Sequence, residues 1–117
     1  MSAPTIPSVA DLLRGALAEL RRPLDPATGN GWKQSGYGGH NSCKCAAGAI
    51  YVAAGALDPG DGRDGLPAAF ALLAEAIGSP RGNEGHVIHW NDEPARTFPE
   101  VEAAFERAIE LAEAGVR

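Results

Sequence analysis

All three histidines and both cysteines of the chain fall in two short clusters, His40-Cys43-Cys45 within "GGHNSCKCAAGAI" and His86-His89 within "HVIHW". Cys45 stands where a run of small apolar residues begins. A thiol in the first turn of a helix is favoured as thiolate by the helix dipole, and a neighbouring cation such as Lys44 adds to this. His89 is then the candidate base, with Asn91 or Asp92 orienting its second ring nitrogen. Backbone amides at the helix start would supply an oxyanion site. The same clusters also read as H-x2-C-x-C plus H-x2-H, so His40, Cys43, Cys45, His86 and His89 form a candidate zinc set of imidazole and thiolate ligands. A third account is structural: Cys45 with Ala46, Ala47 and Gly48 is what a close helix contact requires, and Asn91 and Asp92 pin the loop that follows them.

The sequence weighs against two of these. The order Cys, His, Asn/Asp matches papain-like and transglutaminase-like enzymes, but those carry the last two groups on a sheet for which this chain has little material. The C-x-C spacing is tighter than the usual zinc knuckle. A phosphate-loop reading of Gly36, Gly38 and Gly39 lacks both the preceding strand and the G-K-[ST] ending.

With 117 residues the chain has room for one core, and one domain over residues 1–117 is expected. Fifteen acidic against ten basic residues give a net charge of -5, with no basic run longer than Arg21-Arg22, which argues against binding nucleic acid through its phosphates. No stretch approaches the ~20 apolar residues of a membrane span, and "MSAPTIPSVADLL" lacks the pattern of a secretory signal. A cytoplasmic protein with no cofactor and free thiols is expected. A disulfide across one intervening residue would be strained and would close almost no loop.

The elements that must hold these residues are mainly helical. Ser8 and Asp11 open a helix whose Val9, Leu12, Leu13, Ala16, Leu17 and Leu20 share a face, and Pro23 stops it. Residues 1–7 are a lead-in. From Leu24 to Ser42 no helical period occurs, so a glycine-rich loop or a short hairpin around Trp32 and Tyr37 is expected, with an α+β fold as the alternative. A second helix, about Cys45 to Ala54, is apolar on every side and so reads as buried. Gly48 in its middle implies close approach of another backbone. A polar turn, "LDPGDGRDG", leads to a third helix, Leu66 to Ile77. "SPRGNEG" reads as a loop and "HVIHW" as a very short strand or extended segment. A fourth helix starts at Thr97 with Glu100 completing a capping box, buries Val101, Phe105, Ala108, Ile109 and Ala112, and turns Glu102, Glu106, Glu110 and Glu113 to solvent. About four helices around the small-residue second helix is the expected architecture.

Trp32 in its glycine-rich stretch, "CAAGAI" from Cys45 to Ile50, and "WNDEPARTFPEVEAAFERAIELA" from Trp90 to Ala112 resemble a family of small bacterial and phage proteins. The family's pattern runs from a tryptophan through C-x-x-G-A-[IL] and an aromatic-N-D to a threonine-capped helix ending in A-I-x-x-A. The resemblance covers most of the chain from Trp32 onward, and the first helix fits it in position. It implies that Cys45, Gly48, Trp90, Asn91 and Asp92 are family positions, whereas His40, Cys43, His86 and His89 lie outside the pattern. The family carries no assigned activity, so positions rather than chemistry are implied. Zinc binding thereby loses most of its ligands, and a Cys45 nucleophile loses its base.

The leading expectation is a non-enzymatic interaction module that binds a protein or small ligand through the Trp32–Asn41 loop, with Trp32, Tyr37, His40, Asn41 and Trp90 as contact residues, and through the His89–Asp92 segment. A thiol-dependent hydrolase or acyl-transfer protein using Cys45, His89, Asn91 and Asp92 comes second, and a zinc module third.

Overall fold

The first helix begins where the sequence places its cap. In the computed structural model, which describes residues 8–56 and 64–115, the Ser8 hydroxyl accepts the Asp11 amide at 3.0 Å and helix α1 runs over Val9–Leu20. The lead-in at 1–7 and most of the polar turn at 57–65 lie outside the described residues. Among the described residues four more helices follow: α2 (Ala46–Ala56), α3 (Leu66–Ala76), α4 (Glu84–Asn91) and α5 (Phe98–Glu113). The described residues form one all-α unit, and the radius of gyration is 13.5 Å, close to the ~13 Å of a compact domain this long.

Two expectations of extended structure are corrected. "HVIHW" is neither strand nor extended: it lies in α4, because Asn83 caps that helix. The Asn83 side chain accepts the Gly85 amide at 3.0 Å, and the His86 ring nitrogen Nδ1 accepts the Asn83 amide at 3.2 Å. His86 thus fills the place that Glu or Gln takes in an ordinary capping box. Its imidazole gave no sequence cue for that role. The second correction concerns the hairpin and the α+β alternative. Among the described residues no strand occurs, and Trp32 and Lys44 make only an isolated parallel bridge, with Lys44 N–H donating to the Gly31 carbonyl and Lys33 N–H to the Lys44 carbonyl. The segment 24–44 is a loop whose second part, from Gly31–Lys33 to Lys44, is closed on itself by these two bonds.

Helix α2 packs against α1, α3 and α4, while α5 lies chiefly on α1 and α3. The small side chains of α2 allow this crowding: Ala46, Ala47, Ala49, Ile50, Ala53 and Ala54 are buried. Helix α5 buries Val101, Ala104, Phe105, Ala108 and Leu111, while Ile109 and Ala112 are half-buried. Its start is fixed by the Glu100 carboxylate, which accepts the Thr97 amide at 2.9 Å. Arg21, just past α1, reaches two acidic residues of α5, Glu102 at 2.8 Å and Glu106 at 3.1 Å, and these bonds raise its pKa. The acidic face of α5 is therefore partly tied to α1.

The face of α2 that carries Gly48, Tyr51, Val52 and Gly55 is different. These residues are spaced i, i+3, i+4 and i+7 and so share one side of the helix. Tyr51 is 41% exposed there, and a Cβ placed on Gly55 would touch nothing within 4 Å. Contrary to the expectation of burial all round, this side of α2 is open.

Candidate functional site

The residues expected to do chemistry separate into a sealed framework and an open groove. Asn91, the last residue of α4, is wholly buried and is the centre of the framework. Its Oδ1 accepts the Trp32 indole N–H at 2.7 Å and the Ala46 amide, at the start of α2, at 3.0 Å. Its Nδ2 donates to the Lys33 carbonyl at 3.2 Å and to Asp92 Oδ1 at 2.9 Å. All of its donor and acceptor capacity is thus directed at three separate parts of the chain. Asp92 Oδ1 also accepts the Ser35 amide at 3.0 Å, which holds Ser35 in a left-handed conformation (φ 65°). Gln34 Nε2 closes the set by donating to the Asn91 and Glu93 carbonyls at the end of α4. Trp32 is half-buried, stacks on Phe98 at 6.4 Å between ring centroids, and packs against the core.

Cys45 is the residue before α2, and its side chain serves as the cap. The Cys45 carbonyl accepts the Ala49 amide, and its sulfur accepts the Gly48 amide at 3.4 Å. An N-cap normally uses a polar oxygen, but at 3% exposure a thiol accepts the amide with little cost of burial. Burial pushes its pKa above the ordinary thiol value, against the opposing pull of the Gly48 and Ala47 amides. The nearby positive end of the helix therefore does not produce the lowered pKa that a thiol nucleophile needs. Lys44 does not assist either. It is wholly buried and turned to the His40 and Ser42 carbonyls, at 3.0 and 2.8 Å, and to Glu19 at 3.3 Å. Burial raises the Glu19 pKa, but bonds from Arg22 and Lys44 outweigh it and hold the carboxyl below its usual value. Arg22 also donates to the His40 carbonyl and to Asn41 Oδ1.

The expected base is elsewhere. The His89 side chain is 84% exposed and faces Glu93 at 3.3 Å. His40 is exposed on the loop and Cys43 is half-buried, with its thiol 3.9 Å from the Asn30 carbonyl. Both cysteines are free, and among the described residues no three His, Cys, Asp or Glu side chains gather as a metal site. Trp90 lies under the Arg96 guanidinium, 4.0 Å from its ring centroid, and its carbonyl accepts from Arg96 Nε.

The open groove, of about 480 Å³, runs between the loop at Tyr37 to His40 and the uncovered side of α2, from Gly48 to Gly55. Its end at Gly48 is shut by the loop backbone: a Cβ there would lie 1.8 Å from the Tyr37 carbonyl oxygen. The Tyr37 and Tyr51 rings meet edge to face at 5.7 Å, and both hydroxyls donate to Glu84, at 2.6 and 2.7 Å. Sequence reasoning found Tyr37 and His40 but missed Tyr51 and Glu84. The one available signal was a polar-tipped ring on a helix otherwise built of apolar residues and glycine.

Hydrogen bonds to Glu84 raise both tyrosine pKa values, and burial adds to this; Tyr51 is pushed up to about 12. A raised folded-state value means that the contribution to stability is complete below the unfolded value of 10 and is lost as pH climbs toward 12. These are the only two tyrosines of the chain, so phenolate absorbance reads them directly. Both should ionise above pH 10 in the folded protein, and Glu84→Gln should bring both back toward the ordinary range.

The chain belongs to a family of unknown function, DUF6197, matched over residues 4–111. The match takes in α1 as well as the motifs from Trp32 onward. No curated protein and no solved structure matches the chain. Among the described residues no helix is long and apolar enough to cross a membrane.

Proposed function

We propose that this protein is a non-enzymatic binding module whose ligand lies in the groove between Tyr37–His40 and the open side of α2. The observation that carries this reading is the division of labour among the polar and aromatic residues. Trp32, Cys45, Asn91 and Asp92 spend their hydrogen-bonding capacity or their burial on joining the loop, α2 and α4. Tyr37 and Tyr51, by contrast, are the large apolar side chains left exposed among the described residues, and they sit side by side in one concave surface. Concave, mostly apolar surfaces with a few fixed polar groups are where ligands bind. The Trp32–Asn41 loop therefore contributes its Tyr37–His40 half to the ligand, and its Trp32 half, with Asn91 and Asp92, holds that surface in place. The resemblance is in keeping with this reading: of its pattern positions, Gly48, Asn91 and Asp92 hold the loop against α2 and α4, and Cys45 caps α2. Within the wider resemblance to small bacterial and phage proteins, an accessory role fits a small domain with a groove of this kind.

A fragment screen on the isotope-labelled protein tests this. Hits should shift the amide signals of Tyr37 to His40, Gly48, Tyr51, Val52 and Gly55 as one group. Hits that cluster around His89 and Trp90, or a covalent fragment that labels native Cys45, would contradict it.

A further inference from the structure

Resting on the groove reading above, we infer that its ligand is a small organic cation, of the quaternary-ammonium class, seated in the corner between the Tyr37 and Tyr51 rings. The two ring planes stand at 74° with centroids 5.7 Å apart, so they form two walls of a corner, while Phe70, 5.5 Å from Tyr51, is buried and lies outside the groove lining. An aromatic face carries negative potential and attracts a cation whose own hydration is weak. Here the attraction is strengthened from behind. Each phenol donates a hydrogen bond to the Glu84 carboxylate, which shifts electron density into the ring, and among the described residues Glu84 is met by these two phenols. The groove lining, Tyr37, Gly38, Gly39, His40, Gly48, Tyr51, Val52 and Gly55, includes no lysine or arginine that would repel a cation. The buried Lys44 ammonium, which lies under the same loop, is spent on Glu19 and two backbone carbonyls. A net charge of -5 adds a long-range field of the same sign preference.

Size favours a free small molecule over a peptide tail. From Gly48 to Gly55 the groove follows about two helical turns, on the order of 10 Å, and the loop backbone closes it at Gly48. That length holds about three residues of extended chain, whereas a volume of about 480 Å³ suits a small molecule well.

The test is a titration of the intact protein with tetramethylammonium, choline and the neutral isostere tert-butyl alcohol, followed through the ring proton signals of the two tyrosines. The expected result is saturable shifts of both rings with the two cations, and binding about tenfold weaker for the alcohol. Glu84→Gln should weaken the cations several-fold and leave the alcohol unchanged. Equal binding of alcohol and cations at the same rings would overturn the cation assignment while leaving the groove as the ligand site. No ring shift with any cation would also overturn it, and the fragment screen then judges the groove separately. A trimethyllysine peptide that binds about tenfold tighter than choline would overturn the small-molecule assignment in favour of a protein tail.

Discussion

Asn91→Ala is expected to cost about 3–5 kcal/mol, a large part of the ~5–15 kcal/mol that holds a domain folded. The side chain is fully buried, so its loss leaves the buried Ala46 amide without a partner and takes their partners from the Trp32 indole N–H and the Lys33 carbonyl, both in part-buried bonds. An unsatisfied buried polar group costs about 1–3 kcal/mol, which sets the size of the effect. The denaturant midpoint should fall accordingly, and Trp32 fluorescence should shift toward that of a solvated indole. Asn91→Asp separates the acceptor role from the donor role. It keeps the oxygen that serves Trp32 and Ala46 but sets a second carboxylate against Asp92, where Nδ2 now donates at 2.9 Å. Two like charges at that distance raise the pKa of the pair, so this variant should be weakest at neutral pH and regain stability as the solution is acidified. An Asn91→Ala protein with an unchanged midpoint would show that the network does not hold the fold together.

The second large effect concerns Gly48. Alanine in place of glycine inside a helix ordinarily stabilises by about 0.5–1 kcal/mol. At Gly48 the new Cβ would stand 1.8 Å from the Tyr37 carbonyl oxygen and 2.6 Å from its carbon, so the loop has to lift off α2. A net loss of about 2–4 kcal/mol is expected, together with loss of the Tyr37–Glu84 hydrogen bond and of the groove wall. Gly55→Ala is the internal control. Its Cβ enters open space, so the ordinary helical gain should appear. Opposite signs from the same substitution on one face of one helix would be read directly in two unfolding curves.

Much of the fold was legible because the relevant physics is local. Ser8 with Asp11 and Thr97 with Glu100 announced two helix starts, and the apolar periods of α1, α3 and α5 followed. Gly48 correctly implied a backbone in close contact, although only the structure shows it to be that of Tyr37. What failed depended on partners distant in sequence or on side chains in unaccustomed roles. Helix α4 was missed because His86 takes the place of the usual Glu in its capping box, and because β-branched Val87 and Ile88 beside Trp90 favour a strand reading. Lys44 could not be recognised as buried, because its carboxylate partner Glu19 comes from α1 and because the irregular loop just before it turns the His40 and Ser42 carbonyls onto its ammonium. The site divided in the same way. The cluster of cysteines and histidines attracted attention by residue type, yet Cys45 caps α2, His86 caps α4, and His89 points to solvent. Tyr51 and Glu84, 33 residues apart, are joined only by the fold.

The central claim is that the motif residues build the groove and do not react, and Cys45 is the residue at which this is sharpest. The most direct measurement is alkylation of the native protein by iodoacetamide from about pH 6 to pH 10, with peptide mass spectrometry resolving Cys43 from Cys45. Half-buried Cys43 should be modified first, and Cys45 should remain unmodified until the protein unfolds, since burial seals it and raises its pKa. Rapid modification of native Cys45 with an apparent pKa well below the ~8.5 of a free thiol would contradict the account and make Cys45 a nucleophile.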